Sequence, residues 1–336
     1  MVFTPATAAS IFLLAFAMSA FILALLLRNR VAWRLATDVP NSRSLHSEPI
    51  PRVGGWGAVP AAIVVAFAFG ARDWLFFALA SLLFAVSYAD DRFDMPITVR
   101  LPVQAAAAAA WLAYGPIELP LVVSLFAGFA IVWVTNVFNF MDGANGLAGG
   151  MAVFAFAAYG FVASQAGVTP LAVWSAAVAG AAAGFLVFNF DPARVFLGDA
   201  GSITLGFTAA AFGIWGWSAG AWPVWFPFLV SGPFFVDATI TILRRIASGE
   251  RFWRPHREHY YQRLIRSGWS HRRTACCEYA LMAASAALAV TMLGWADGAQ
   301  YAGLAAAAAS YGVIARLVDR RWAAFARQTR GARPPV

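Results

Sequence analysis

The chain has 336 residues, of which 61% are hydrophobic (about 205 side chains), set against 24 basic and 16 acidic residues. With its 28 glycines the apolar share reaches about 69%, far above the roughly 45–50% of ordinary soluble domains, and the 12% charged fraction is about half the usual ~25%. So few charges cannot cover so much apolar surface, which excludes soluble globular, disordered, collagen-like and disulfide-rich classes and leaves an integral membrane protein. A net charge of +8 could point to nucleic acid. Every basic residue is arginine, however, and their placement fits membrane-flanking loops better, so no nucleic-acid partner is expected.

About 20 apolar residues cross the ~30 Å hydrocarbon core as a helix. In chain order the apolar runs are 8–27, 57–71, 74–89, 101–115, 119–137, 146–164, 169–188, 202–218, 222–243, 275–294 and 299–316. This predicts an all-α polytopic membrane protein with about 11 transmembrane helices. The first run has no basic segment before it and no cleavage site after it, and reads as a retained helix. The neighbouring cysteines, Cys276 and Cys277, match no metal spacing and read as buried packing residues.

Arginine sets the orientation, because basic loops stay in the cytoplasm. With eleven spans, 23 of the 24 arginines fall on one side, among them Arg28, Arg34, Arg43, Arg52, Arg92, Arg100, Arg194, the run from Arg244 to Arg273 and the tail from Arg316 to Arg333; Arg72 stands alone on the other. The N-terminus is therefore expected outside and the C-terminus in the cytoplasm. Of the carboxylates, only Asp73, Glu118 and Asp297 lie on the outer side. Ionisable groups massed at one face suggest chemistry there, whereas a transport route would carry them near mid-membrane. Only Asp237 looks deep, and it reads equally as a helix-packing polar group.

Five segments on the arginine-rich side stand out. The first runs from Asp38 through His46 to Pro51-Arg52-Val53-Gly54-Gly55, where proline and paired glycines permit close backbone approach. The second is Asp90-Asp91-Arg92-Phe93-Asp94, followed by Arg100 and Gln104. Three carboxylates so close together need a counter-charge: a divalent cation, an arginine or a proton. The third, from Asn136 through Asn139, Asp142 and Gly143 to Asn145 and Gly146, repeats polar groups at a three-residue spacing that shares one helix face. A polar stripe at a membrane boundary is costly unless it binds something. The fourth runs from Asn189 through Phe196 to Gly198-Asp199-Ala200-Gly201-Ser202. It puts Asp199 at a helix start, where backbone N–H groups attract phosphate and a carboxylate can hold magnesium. The fifth is the loop 247–273 with Pro255-His256-Arg257-Glu258-His259-Tyr260-Tyr261-Gln262-Arg263.

Together these segments, in this order, resemble the polyprenyl-phosphate N-acetylhexosamine-1-phosphate transferase family over roughly residues 38–273. The resemblance implies a single transferase domain over 1–318 with a basic cytoplasmic tail over 319–336, in the bacterial cytoplasmic membrane. It implies transfer of an N-acetylhexosamine-1-phosphate from a UDP-sugar to undecaprenyl phosphate, with release of UMP and with magnesium (or manganese) as cofactor. By position, Asp90 and Asp91 match the family's paired aspartates, one of which would deprotonate or orient the lipid phosphate. Arg100 matches a basic residue directed at phosphate, Asn139 and Asp142 a polar pair beside the reacting phosphates, and Asp199 the magnesium ligand. Asn189 and Phe196 fall where relatives hold and stack uracil; Arg257 and His259 fall in the sugar- and diphosphate-facing loop. Arg52 and Asn145 are further expected substrate contacts.

Two departures bear on the substrate. Asn145 stands where many relatives carry a second aspartate and cannot act as a base. Tyr261 and Gln262 replace later histidines of the peptidoglycan branch, so the motif looks more like the O-antigen-initiating branch, some of whose members take deoxy N-acetyl sugars. Expected partners are the UDP-N-acetyl sugar, undecaprenyl phosphate, the bilayer and a second copy in a homodimer. Two rival readings stand beside this one. A polytopic transporter or lipid flippase needs polar groups spread through the bilayer. A membrane prenyl-diphosphate enzyme accounts for Asp90 to Asp94 but leaves the fourth and fifth segments unused.

Overall fold

The computed structural model describes residues 3–40, 45–251 and 256–331. The chain opens with the long helix α1 (Pro5–Arg28), the short α2 (Ala32–Leu35) and a two-stranded antiparallel hairpin, β1 (Thr37–Asp38) and β2 (Ile50–Pro51). The bundle continues with α3 (Gly54–Ala68), α4 (Trp74–Phe93), α5 (Ile97–Tyr114), α6 (Leu121–Met141), α7 (Leu147–Gln165), α8 (Thr169–Asn189) and α9 (Gly198–Ser218). It ends with α10 (Trp225–Val230), α11 (Gly232–Ala247), α12 (Tyr260–Arg266), α13 (His271–Met292) and α14 (Asp297–Gly331). The positions of Arg43 and Pro255 lie outside the described residues.

The architecture is all-helical apart from the hairpin. Among the described residues, seven helices are long and apolar enough to cross a membrane: α1, α4, α6, α7, α8, α13 and α14. Helix α3 is apolar but shorter. Each apolar run read from the sequence falls on helix, with one correction: run 222–243 is not one helix but two. The chain breaks at Ser231, between α10 and α11. Pro233 supplies the reason, since it cannot donate to the carbonyl of Leu229 and its ring crowds that turn.

Helix α8 is the most enclosed of the seven, packing on α1, α3 and α7. Its Gly180 and Gly184 face α1 so closely that an added methyl would sit 2.2 Å from the Phe12 carbonyl and 2.4 Å from that of Phe16. Small residues four apart let two backbones touch where lipid offers no hydrophobic drive for association. Gly55 of α3 meets Gly201 of α9 the same way, a methyl there reaching 2.6 Å from the Gly201 nitrogen. The paired glycines of the first segment thus seat the backbone of the fourth.

Cys276 and Cys277 are exposed on α13 rather than buried. On a helix whose outer face meets hydrocarbon, an apolar side chain has no reason to turn inward, so hydrophobicity does not report burial as it does in water. Helix α14 runs unbroken through position 318. At about 1.5 Å per residue its 35 residues exceed the ~30 Å core by several turns. Its far end grips the α11–α12 region: Asp319 accepts from Arg244 at 2.8 and 2.7 Å and from Arg263 at 2.8 Å. Arg321 donates to the Ser267 hydroxyl and carbonyl.

Candidate active site

The start of α3, the end of α4, the start of α5, the end of α6, the start of α7, the end of α8 and the start of α9 meet at one end of the bundle. The acidic segment at the end of α4 splits three ways. Asp90 accepts from the Met95 amide at 2.7 Å and pairs with Arg100 of α5. Asp91 turns to α9, where its two oxygens accept the backbone N–H groups of Asp199 and Ala200 at 3.0 Å each. Asp94 ends the helix in a left-handed conformation, exposed to solvent. The three acids therefore do not form one cation-binding face, as a prenyl-diphosphate enzyme would use them. The counter-charges are arginines and a helix start.

The helix start itself corrects an expectation. The first amides of α9, which the sequence suggests as a phosphate cradle, are taken by the Asp91 carboxylate, a negative group at the positive end of the helix dipole. Arg52 stands 3.8 Å from Asp91 and donates to Asp38 at 2.7 Å. His46 in turn contacts the other Asp38 oxygen at 3.1 Å. Asp38 and His46 received no role from sequence reasoning, although a carboxylate amid turn formers in so acid-poor a chain was a usable signal.

Asp199 projects from the first turn of α9 into the space between α4, α5 and α6. Its oxygens accept from Asn139 at 2.9 Å and lie 3.3 Å from the Arg100 guanidinium. Asn139 also donates to Ser202 at 3.1 Å, and one turn earlier Asn136 donates to Gln104 at 2.7 Å. The polar stripe thus ties α6 to both α5 and α9. Asp142 caps the end of α6 within range of the same charges. Loss of solvent and the negative charges of Asp199 and Asp91, partly offset by Arg52, push its carboxyl well above the ordinary carboxylate range. Asp91 and Asp199 meet at the start of α9, and Asp142 lies within range of the charges of both.

Accessibility sorts these groups. The side chains of Asp91 and Asp90 are 0% and 5% exposed, whereas Asp199 is 28% exposed and Arg52 and Arg100 are each 34%. The first two are held inside; the other three border open space. Among the described residues no group of three or more His, Cys, Asp or Glu side chains is arranged to cage a metal. Magnesium does not need such a cage, because it keeps several waters and binds through one or two carboxylates plus phosphate oxygens. Asp199 and Asp142 are carboxylates of the type magnesium uses, and their charges interact.

The expected nucleotide contacts are more divided. Asn189 is buried with both ends of its amide engaged, accepting from Gly146 N at 2.8 Å and donating to the Val195 carbonyl at 2.9 Å. It joins the α7 start to the loop before α9. Asn145 donates to Asp191 at 2.8 Å, while its own amide N–H points at His271. Phe196 is partly exposed, and its ring meets the edge of His46 at 4.9 Å. His259 lies beside the α6 end, stacked over Phe140. The Arg257 carbonyl accepts from Arg266, and its side chain forms no ion pair among the described residues.

Asp237 has a plain role that sequence reasoning left open. One of its oxygens accepts from the Tyr260 amide at 2.9 Å and contacts His259 Nδ1 at 3.1 Å; the other accepts from the Tyr261 amide at 3.1 Å. It caps α12 and pins the fifth segment against α11.

A helical membrane bundle that gathers carboxylates, amides and arginines at one end defines a polytopic membrane enzyme handling phosphorylated ligands, and residues 74–217 match the glycosyl transferase family 4 model. The chain belongs to that family, and it is a transferase of membrane character. It is 32% identical over 288 residues to the undecaprenyl-phosphate alpha-N-acetylglucosaminyl 1-phosphate transferase of Yersinia pestis, covering 76% of this chain and 75% of that protein. It is 30% identical over 267 residues to the protein of the same name in Escherichia coli (strain K12), covering 70% and 71%. The probable undecaprenyl-phosphate N-acetylglucosaminyl 1-phosphate transferase of Bacillus subtilis (strain 168) is 26% identical over 270 residues, covering 74% and 75%.

Proposed function

We propose that the protein transfers an N-acetylhexosamine-1-phosphate from a UDP-sugar to undecaprenyl phosphate, releasing UMP and starting a cell-surface polysaccharide of the O-antigen kind. The observation that carries this reading is the meeting of Asp142, Asp199, Arg100 and Arg52 at one end of the bundle, with Asp90 and Asp91 locked behind them. In the bilayer we place eleven crossings, with α10 and α11 sharing one, the N-terminus outside and the site facing the cytoplasm of a bacterial inner membrane. The arginine distribution supports this orientation.

The lipid phosphate oxygen attacks the phosphorus that carries the sugar. A new P–O bond forms, the bond to the bridging oxygen breaks, and UMP leaves with that oxygen. Two anions must meet, so catalysis is charge neutralisation and alignment. Arg100 and Arg52 face the phosphates; Asp90 orients Arg100, and Asp91 holds the α9 turn from which Asp199 projects. Asn139 fixes Asp199 from the side. Asp199, with Asp142 near it, would hold a magnesium (or manganese) ion, which would supply the remaining positive charge. Arg257 and His259 border the sugar end, and Phe196 offers a ring face to the base.

The test is nucleotide release from purified protein given undecaprenyl phosphate, magnesium and a panel of UDP-N-acetyl sugars, 6-deoxy members included. UMP is expected; release of UDP would make the protein a glycosyl rather than a phosphoglycosyl transferase. Flux of lipid across vesicles without any nucleotide product would favour a transporter or flippase.

A further inference from the structure

The Asp142 turn rests on a tyrosine that no step above uses. Tyr261, in the first turn of α12, is completely buried. Its hydroxyl donates to the Phe140 carbonyl at 3.1 Å and accepts from the Gln262 amide at 3.1 Å. Phe140 is one of the last residues of α6, whose terminal carbonyls have no partner within their own helix. The phenol therefore completes the end of the helix that carries Asn139 and delivers Asp142.

The next residue shows how tight that fit is. A methyl group on Gly143 would lie 2.2 Å from the Tyr261 hydroxyl oxygen, with the ring carbon bearing it next at 3.2 Å and the Gln262 amide nitrogen at 3.5 Å. Gly143 is not among the glycines with positive φ, so it is needed there for space rather than for backbone freedom. The root of the tyrosine is equally fixed, since Asp237 accepts the amide N–H groups of Tyr260 and Tyr261. Burial and the nearby Asp237 and Asp142 carboxylates push the phenol well above its ordinary range, so it stays a protonated donor.

We propose that Tyr261 is a positioning residue for the transfer reaction, its hydroxyl propping the end of α6 and the Asp142–Gly143 turn and so fixing where Asp142 stands relative to Asp199. This inference rests on the transferase reading, and it assigns α12 a second task beside presenting Arg257 and His259. The link runs from Asp237 through the Tyr261 backbone and ring to Phe140 O, and from there to Asp142.

The experiment is a two-residue cycle in the full-length protein, reading UMP release and thermal melting in detergent. Tyr261→Phe removes only the hydroxyl. It should lower kcat about tenfold, as one lost hydrogen bond at a site does, with KM for the UDP-sugar changed less than about twofold. Gly143→Ala drives a methyl into the hydroxyl and should lower kcat about a hundredfold through displacement of the turn. In the Tyr261→Phe background the offending oxygen is gone, so adding Gly143→Ala should cost less than about threefold more. Wild-type kcat in Tyr261→Phe, or an undiminished Gly143→Ala defect in the double variant, overturns the proposal. If the wild-type protein releases no UMP with any UDP-sugar, the transferase reading fails instead. Melting then decides the proposal: Gly143→Ala must lower the midpoint, Tyr261→Phe must restore it in the double variant, and independent effects would refute it.

Discussion

Asp91→Asn should damage folding and turnover together, whereas Asp199→Asn should damage turnover alone. Asp91 is enclosed, and both its oxygens accept backbone N–H groups at the start of α9. An asparagine keeps one acceptor and turns its NH2 toward the other amide, setting donor against donor. The lost charge-assisted bond is worth about 1.5–3 kcal/mol. Removing a negative charge from the helix start adds about 0.3–2 kcal/mol. The sum, roughly 2–5 kcal/mol, corresponds to a drop of roughly 3–7 °C in melting midpoint for a chain of this size. Because Asp199 sits in the turn that loosens, UMP release should also fall by about a hundredfold or more. Asp199→Asn leaves an oxygen for Asn139, and Arg100 keeps Asp90 as a partner. Its midpoint should stay within about 2 °C while release falls at least as far. The assay pairs UMP release with melting of detergent-purified protein. An Asp91→Asn variant that melts with the wild type would refute the capping role.

Three further outcomes follow from other parts of the molecule. Chelation of divalent cations should abolish UMP release and magnesium should restore it. Protons compete for the Asp142 carboxyl, whose pKa is raised, so more magnesium should be needed for half-maximal rate at pH 6 than at pH 8; a requirement independent of pH would contradict this. Burial, His259 and Arg245 hold the His256 pKa down at about 4 against an ordinary 6.5. The unfolded chain then binds a proton that the folded one refuses, and stability is lost as pH falls from 6.5 toward 4. His256→Gln should flatten that part of the stability profile, and an unchanged slope would count against the burial argument. Gly184→Leu should separate α1 from α8, since even a methyl there meets the Phe16 carbonyl at 2.4 Å; a monodisperse, wild-type melting profile would show that the helices do not touch as described.

Much of this architecture is legible in the sequence because lipid imposes a strong rule. Every apolar run falls on helix, and the segments from Asp90, Asn139, Asp199 and His259 come together at one end. What was illegible has physical causes. Hydropathy registers composition over a window, so it cannot see that Pro233 divides the run 222–243. It also gives no sign of which way a side chain turns, and Cys276 and Cys277 face outward as a result. The acidic segment announces a need for positive charge without saying what supplies it. Only geometry shows Asp90 on an arginine and Asp91 on backbone amides. Asn189 illustrates the same limit, since an amide able to hold a base can equally hold the Gly146 N–H and the Val195 carbonyl.

The site's charges divide into two kinds of work. The side chains of Asp90, Asp91 and Asp237 are buried, and each is spent on holding protein: an arginine, the start of α9 and the start of α12. Asp199, Arg100 and Arg52 remain partly open. A route through the bilayer would need the reverse arrangement, with open polar groups at depth and quiet ends. Here Asp237 is engaged with His259, Tyr260 and Tyr261 beside the end of α6, and the partly open Asp199, Arg100 and Arg52 stand at that same end. Buried acids that fix helix ends, and through them the angles at which open groups face a shared space, give pre-set alignment rather than passage. Alignment is what the joining of two phosphates requires, because attraction between them cannot bring it about.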